Sequence, residues 1–166
     1  MVGRAEVEAA ARRIAAVVRP TPVVPSSSLS RLAGRTVLLK PEYRQRTGSF
    51  KIRGAYNFLA GLDAASREVV AGSAGNHAQG VALAASLTGR RATVFMPATA
   101  ALPKVDATRG YGADVRLTGE SVDDCLEAAR SHAAATGAVL VPPFDDPLVI
   151  AGQGTVGLEI AAEATG

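Results

Sequence analysis

Tryptophan is absent and aromatic residues make up only 4% of the 166-residue chain, so its core has to be built from Ala, Val, Leu and Ile packed at close backbone spacing. One cysteine, Cys125, excludes an internal disulfide, and the expected setting is a reducing cytoplasm. The two histidines, His77 and His132, lie far from each other and from Cys125, so no metal-ligand spacing exists and no metal is expected. A G-x-S-x-G nucleophile elbow is missing too. No apolar run approaches membrane-spanning length, and a secretory signal is not expected because the first twenty residues place Glu6, Glu8, Arg12 and Arg13 around an amphipathic pattern. The net charge of +3 comes from scattered basic doublets with no aromatic residues between them. Nucleic acid is therefore not an expected partner.

What is present is regular alternation. Short aliphatic runs at Thr36 to Lys40, Glu68 to Ala71, Ala92 to Met96, Ala113 to Leu117 and Ala138 to Val141 read as strands. Helical patterns fall at the N-terminus, at Ser49 to Leu62, Asn76 to Thr88, Lys104 to Arg109 and Ser121 to Thr136, with another opening near Gly152. Pro20 to Ser28, Pro97 to Pro103 and Pro142 to Pro147 read as loops. Strand-helix alternation without tight hairpins predicts an α/β fold, an open and mostly parallel sheet with flanking helices. The last helical pattern is expected to lead to a further strand that the sequence does not contain.

Chemistry concentrates in two places. Lys51 falls on the same helical arc as Ala55, Phe58 and Leu62, with Arg53 and Asn57 opposite, which predicts a lysine on the buried face of its helix. Burial and a helix N-terminus both lower a lysine pKa and favour the neutral amine that attacks an aldehyde. The bland alternative is a snorkelling lysine whose stem covers apolar surface. Ser73-Ala74-Gly75-Asn76-His77 follows an apolar strand and opens a helix, so its free N–H groups predict an anion site, with Gly72 and Gly75 allowing close approach of a ligand. An ordinary Ser-capped turn is the alternative there. Gly152-Gln153-Gly154-Thr155-Val156-Gly157 fits a dinucleotide fingerprint, but it follows a Pro-rich loop and lacks room for the distal acidic residue, so a glycine-rich helix start is expected. His132 has no evident partner in the sequence.

Thr47-Gly48-Ser49-Phe50-Lys51-Ile52-Arg53-Gly54-Ala55 resembles the cofactor-lysine motif of the threonine/serine dehydratase (threonine ammonia-lyase) family. Ser73 to Gly80 resembles that family's asparagine loop, and Val141 to Pro147 with Ile150 to Thr155 resembles a later stretch of the same enzymes, all in the family's order. The resemblance implies pyridoxal 5'-phosphate as cofactor and the fold type II architecture. It implies that Lys51 holds the cofactor and removes the substrate Cα proton, that Phe50 packs on the cofactor ring, and that Asn76 bonds the ring hydroxyl. Ser73, Ala74, Gly75, Asn76 and His77 would hold the substrate carboxylate. The implied reaction is β-elimination of water from L-threonine or L-serine, in isoleucine biosynthesis or threonine catabolism. Serine racemases of the family resemble the chain closely and are an alternative reading, but they typically carry a serine where this chain has Ala74, which favours the elimination branch.

By the same resemblance, residues 1–52 begin the large lobe, 53–147 form the small lobe and 148–166 return to the large lobe. The phosphate-binding glycine loop would lie beyond residue 166, so the expectation is that the chain alone is inactive. It would work as a homo-oligomer or with a complementing C-terminal half, unless it is a non-catalytic paralogue or interaction module.

Overall fold

Apolar positions at helical spacing bury Ala10 and Ile14 and make α1 (Arg4–Ile14) in the computed structural model, which describes residues 1–164. Its first turn carries Glu6 and its last Arg12 and Arg13, both favourable to the helix dipole. Strand β1 (Val24–Pro25) pairs antiparallel with β2 (Leu38–Leu39). Between them lies α2 (Ser27–Ala33), capped by the Ser26 side chain and ended by Gly34 at φ 64°. This short unit departs from expectation in one respect, since Pro20 to Ser28 is not all loop; its antiparallel pair lies apart from the main sheet.

Two 3-10 turns, Glu42–Arg44 and Arg46–Gly48, deliver the chain to α3 (Lys51–Ala60). Then follow β3 (Glu68–Gly72), α4 (Asn76–Leu87), β4 (Arg91–Met96), α5 (Leu102–Gly110), β5 (Asp114–Leu117), α6 (Val122–Thr136), β6 (Val139–Leu140) and α7 (Pro147–Ala164). The main sheet runs β5-β4-β3-β6 with every pair parallel, as expected of strands joined by helical crossovers. Because β3 is central and covered on both sides, it reads as a continuous apolar run. Val69, Ala71, Val94 and Met96 face a core shared with Ile52, Leu59, Val81 and Val105. Val70 and Phe95 face the other way, against Cys125 and Ala129 of α6.

The helix expected to open near Gly152 begins at Pro147, because Pro suits the first helical turn and the Asp146 carboxylate accepts from the N–H groups of Leu148 and Val149. The glycine-rich stretch is thus mid-helix, and its role is packing. A Cβ on Gly152 would lie 2.5 Å from the Arg53 carbonyl oxygen and 2.8 Å from the Gly54 Cα. Glycine therefore lets α7 and α3 cross at backbone contact.

That crossing also corrects the expected faces of α3. Arg53 and Asn57, placed opposite the apolar arc, are both fully buried. Arg53 donates to Glu42, Glu159 and Thr155 at 2.6–3.1 Å. Asn57 accepts from Arg13 at 2.6 Å and donates to the Leu148 carbonyl at 2.7 Å. The helix is buried on nearly all sides, with its polar residues satisfied inside.

Candidate active site

The parallel strands end at the edge where Lys51 and the Ser73–His77 turn meet, the usual location of ligands in open α/β sheets. Lys51 opens α3, half-buried, and its Nζ donates to the Pro143 carbonyl at 2.7 Å in the loop after β6. Burial holds its amine below the ordinary lysine range. The chain has three lysines, Lys40, Lys51 and Lys104. Lys40 behaves oppositely: burial would lower it, but Glu159 at 2.7 Å and Glu163 at 2.9 Å outweigh that and hold it protonated. Burial thus shifts the Lys51 amine toward the neutral, nucleophilic form, whereas the two carboxylates hold Lys40 in the charged one.

The approach to Lys51 is strained. Thr47 is β-branched yet sits at φ 64°, in the left-handed region that favours glycine. Its hydroxyl and the Arg46 Nε are both buried without a hydrogen-bond partner. Their turn packs against α4, which begins at Asn76. Strain and unsatisfied polar atoms in the turn that feeds Lys51 are the pattern of a site shaped for a ligand rather than for stability.

The anion turn has a division of labour that the sequence does not reveal. The Gly75 N–H donates to the Ser73 Oγ at 3.2 Å, so that amide is spent, while the Ser73 hydroxyl keeps its own proton to donate. The N–H groups of Asn76 and His77 open α4 and have no intrahelical acceptor. Asn76 is exposed and its carboxamide has no protein partner among the described residues. His77 is buried, with Nε2 3.1 Å from the Val141 carbonyl oxygen. Burial pushes its pKa down to about 4; the Val141 bond opposes this, and the nearby Lys51 charge adds to it. A neutral ring then donates from Nε2 to Val141, so the side chain pins the turn to the end of β6.

Phe50 is 38% exposed, its ring centroid 5.4 Å from the Lys51 Nζ. Ala74 is half-buried beside Ser73. All the expected site residues are therefore brought to one edge. The two glycines work differently from expectation. The Cys125 carbonyl oxygen lies 2.5 Å from a Cβ built on Gly72, so α6 rather than a ligand takes that space, and Gly75 makes room for Lys104. Pro143 and Gln153 lie in the stretches that carry the family resemblance, but their link to Lys51 is not legible there: the Gln153 Nε2 donates to the same Pro143 carbonyl at 3.3 Å. Nothing in their neighbourhood along the chain signals it, since the acceptor is a backbone group.

A cavity of about 380 Å³ lies at the opposite end of the sheet, lined by Glu68, Arg91, Asp114, Arg116 and His132 among others. Its arginines are already paired, Arg91 with Glu68 and Arg116 with Asp114 at 2.9 Å. His132 packs edge-on to Phe95 at 5.7 Å between ring centroids, which gives it the partner that the sequence lacks. Among the described residues no cluster of His, Cys, Asp or Glu could hold a metal, and no helix is long and apolar enough to cross a membrane.

The residues present fit pyridoxal phosphate: an amine depressed by burial, an aromatic ring beside it, a free carboxamide and a helix start that donates N–H groups. The sequence model of the family described as "Pyridoxal-phosphate dependent enzyme" matches residues 14–166. The chain is 52% identical to the L-threonine ammonia-lyase of Thermotoga maritima over 96% of its own length and 40% of that protein. It is 50% identical to the L-threonine ammonia-lyase of Geobacter sulfurreducens, over 88% of the chain and 37% of that protein. The crystal structure of a T.th. threonine deaminase superposes with a TM-score of 0.90 at 45% identity, over 98% of this chain and 52% of that one. Maize serine racemase gives a TM-score of 0.91 at 36% identity, over 99% of this chain and 51% of that one. The chain spans about half the length of these solved structures, and less of the curated relatives. With a family pattern matched over nearly its whole length and the α/β architecture of these structures, the chain belongs to the pyridoxal-phosphate dependent enzyme family.

Proposed function

We propose that this chain carries the lysine half of a cytoplasmic threonine ammonia-lyase that eliminates water from L-threonine, or L-serine, to give a 2-oxo acid and ammonia. The observation that carries the reading is Lys51, the lysine whose amine burial depresses, at the strand edge beside the Ser73–His77 turn. Pyridoxal phosphate, when bound, supplies the electron sink that stabilises negative charge at the substrate Cα.

The chain's own groups do the rest. Lys51 Nζ would hold the cofactor and its amine would serve as the base for the Cα proton; the Pro143 carbonyl offers that amine an acceptor. Asn76 Nδ2 would donate to the cofactor's ring hydroxyl, and the Phe50 ring would cover the ring face. The Ser73 hydroxyl and the N–H groups of Asn76 and His77 would hold the substrate carboxylate, with Ala74 packing beside it. Holding the carboxylate would orient the substrate Cα–H bond toward Lys51, which is where orientation contributes to rate. Ala74 has no hydroxyl to deliver a proton to the opposite face, which supports elimination over the racemisation named for the maize relative.

In this reading residues 1–52 begin a large lobe, 53–147 form the small lobe and 148–166 return to the large one, with the phosphate site completed by a C-terminal half, in the same polypeptide or a partner, within a homo-oligomer. The test is 2-oxo acid production from L-threonine by the chain, with and without the C-terminal half of a relative. Turnover that appears only with that half supports the proposal. Failure with every half tried would favour a non-catalytic binding role.

A further inference from the structure

Gly75 immediately precedes α4, in the turn proposed to hold the carboxylate. A Cβ at Gly75 would lie 2.7 Å from the Lys104 Cδ, 2.8 Å from its Nζ and 3.2 Å from its Cε. Three successive atoms of one side chain thus lie flat on the glycine, and the lysine ends at the turn that opens α4. Lys104 stands near the start of α5, which packs against α4.

This placement is electrostatically unfavourable as it stands. The α4 N-terminus carries partial positive charge, and Lys104 brings a cation to the same turn. No carboxylate or carbonyl among the described residues accepts from the Lys104 Nζ. An exposed lysine without a partner normally extends into water, where its solvation and rotamer freedom are greatest. Here it folds back onto the turn. One small anion would neutralise the convergence, and a carboxylate fits the single remaining ammonium and the donors of the turn.

We propose that Lys104 is the charge partner of the substrate's α-carboxylate at the Ser73–His77 turn, a binding residue that the cofactor-lysine and asparagine-loop motifs do not contain. The inference rests on the carboxylate reading of that turn given above. Backbone supplies direction through N–H groups, and Lys104 supplies net charge, so the site discriminates an ionised carboxylate from an amide or ester of the same shape.

The experiment is a titration of the isotopically labelled chain with propanoate, and with propanamide as a neutral control, followed through the amide signals of residues 74–78. Propanoate should shift those signals in the unaltered chain, and propanamide should bind at least about tenfold more weakly. Lys104→Gln and Lys104→Met should each raise the propanoate Kd about tenfold, while Lys104→Arg stays within about threefold. Lys104 is exposed, and the remainder of each spectrum reports that the variant is folded. Equal propanoate affinity in the unaltered chain and both neutral variants would overturn the assignment of Lys104 and leave the turn as a carboxylate site. Absence of any shift at 74–78 in the unaltered chain would overturn the carboxylate reading itself, and Lys104's role with it.

Discussion

His77 ties the folding stability of this chain to pH by an amount that its burial sets. In the unfolded chain its pKa is the ordinary 6.5; in the folded chain burial brings it to about 4. Between those values the unfolded chain binds a proton that the folded chain refuses, so stability falls as pH falls through that window. Each pH unit inside the window costs about 1.4 kcal/mol. Going from pH 7 to pH 5 crosses about 1.5 units of it, a loss of about 2 kcal/mol. The assay is urea unfolding at both pH values for the unaltered chain and for His77→Gln, whose amide still donates to the Val141 carbonyl but does not titrate. Carboxylates that also titrate on the way down are common to both proteins and cancel in the comparison. The variant should start less stable at pH 7 and lose about 2 kcal/mol less on acidification. Equal losses in the two proteins would refute a buried, neutral His77, and with it the pin that holds the anion turn to β6.

Replacing Arg53 by Met leaves Glu42 and Glu159 without their shared cation inside the α3–α7 crossing, and unfolding measurements should show a loss of about 3 kcal/mol or more. Gly152→Ala drives a methyl to 2.5 Å from the Arg53 carbonyl oxygen and should destabilise by about 1–3 kcal/mol. Gly157→Ala on the same helix meets nothing within 4 Å and should instead stabilise by about 1 kcal/mol. If both glycines respond alike in thermal unfolding, the backbone crossing is not what Gly152 serves. In a completed enzyme, chiral analysis of L-serine turnover should find pyruvate with little D-serine because Ala74 offers no proton; abundant D-serine would place the protein with the racemases.

The features legible in the sequence are those whose signals are local and repeated. Alternating aliphatic runs and helical patterns mark five strands and the main helices, and the signal is strongest for β3 and β4, which bury apolar residues on both faces. Lys51 and the Ser73–His77 turn are legible because a buried lysine and a helix start are each set by neighbouring residues. Helix α2 is not, although its Ser26 cap and Gly34 end are both visible, since a run of serines reads equally as loop. The polarity of Arg53 and Asn57 suggests a solvent face; their partners, Glu159 and the Leu148 carbonyl, come from α7, about a hundred residues on, and nothing local predicts them. The contacts of Lys104 and Pro143 are hidden for the same reason. Each touches the site from a loop or helix that only the folded sheet brings near.

If Lys51 carries the cofactor, the chain's three lysines make that directly testable. The chain, completed by a relative's C-terminal half, is incubated with pyridoxal phosphate, reduced with borohydride and mapped by peptide mass spectrometry. The phosphopyridoxyl mass is expected on Lys51, because Lys40 is held protonated by Glu159 and Glu163 while burial depresses the Lys51 amine. Label on Lys40 or Lys104 with Lys51 unmodified would contradict it.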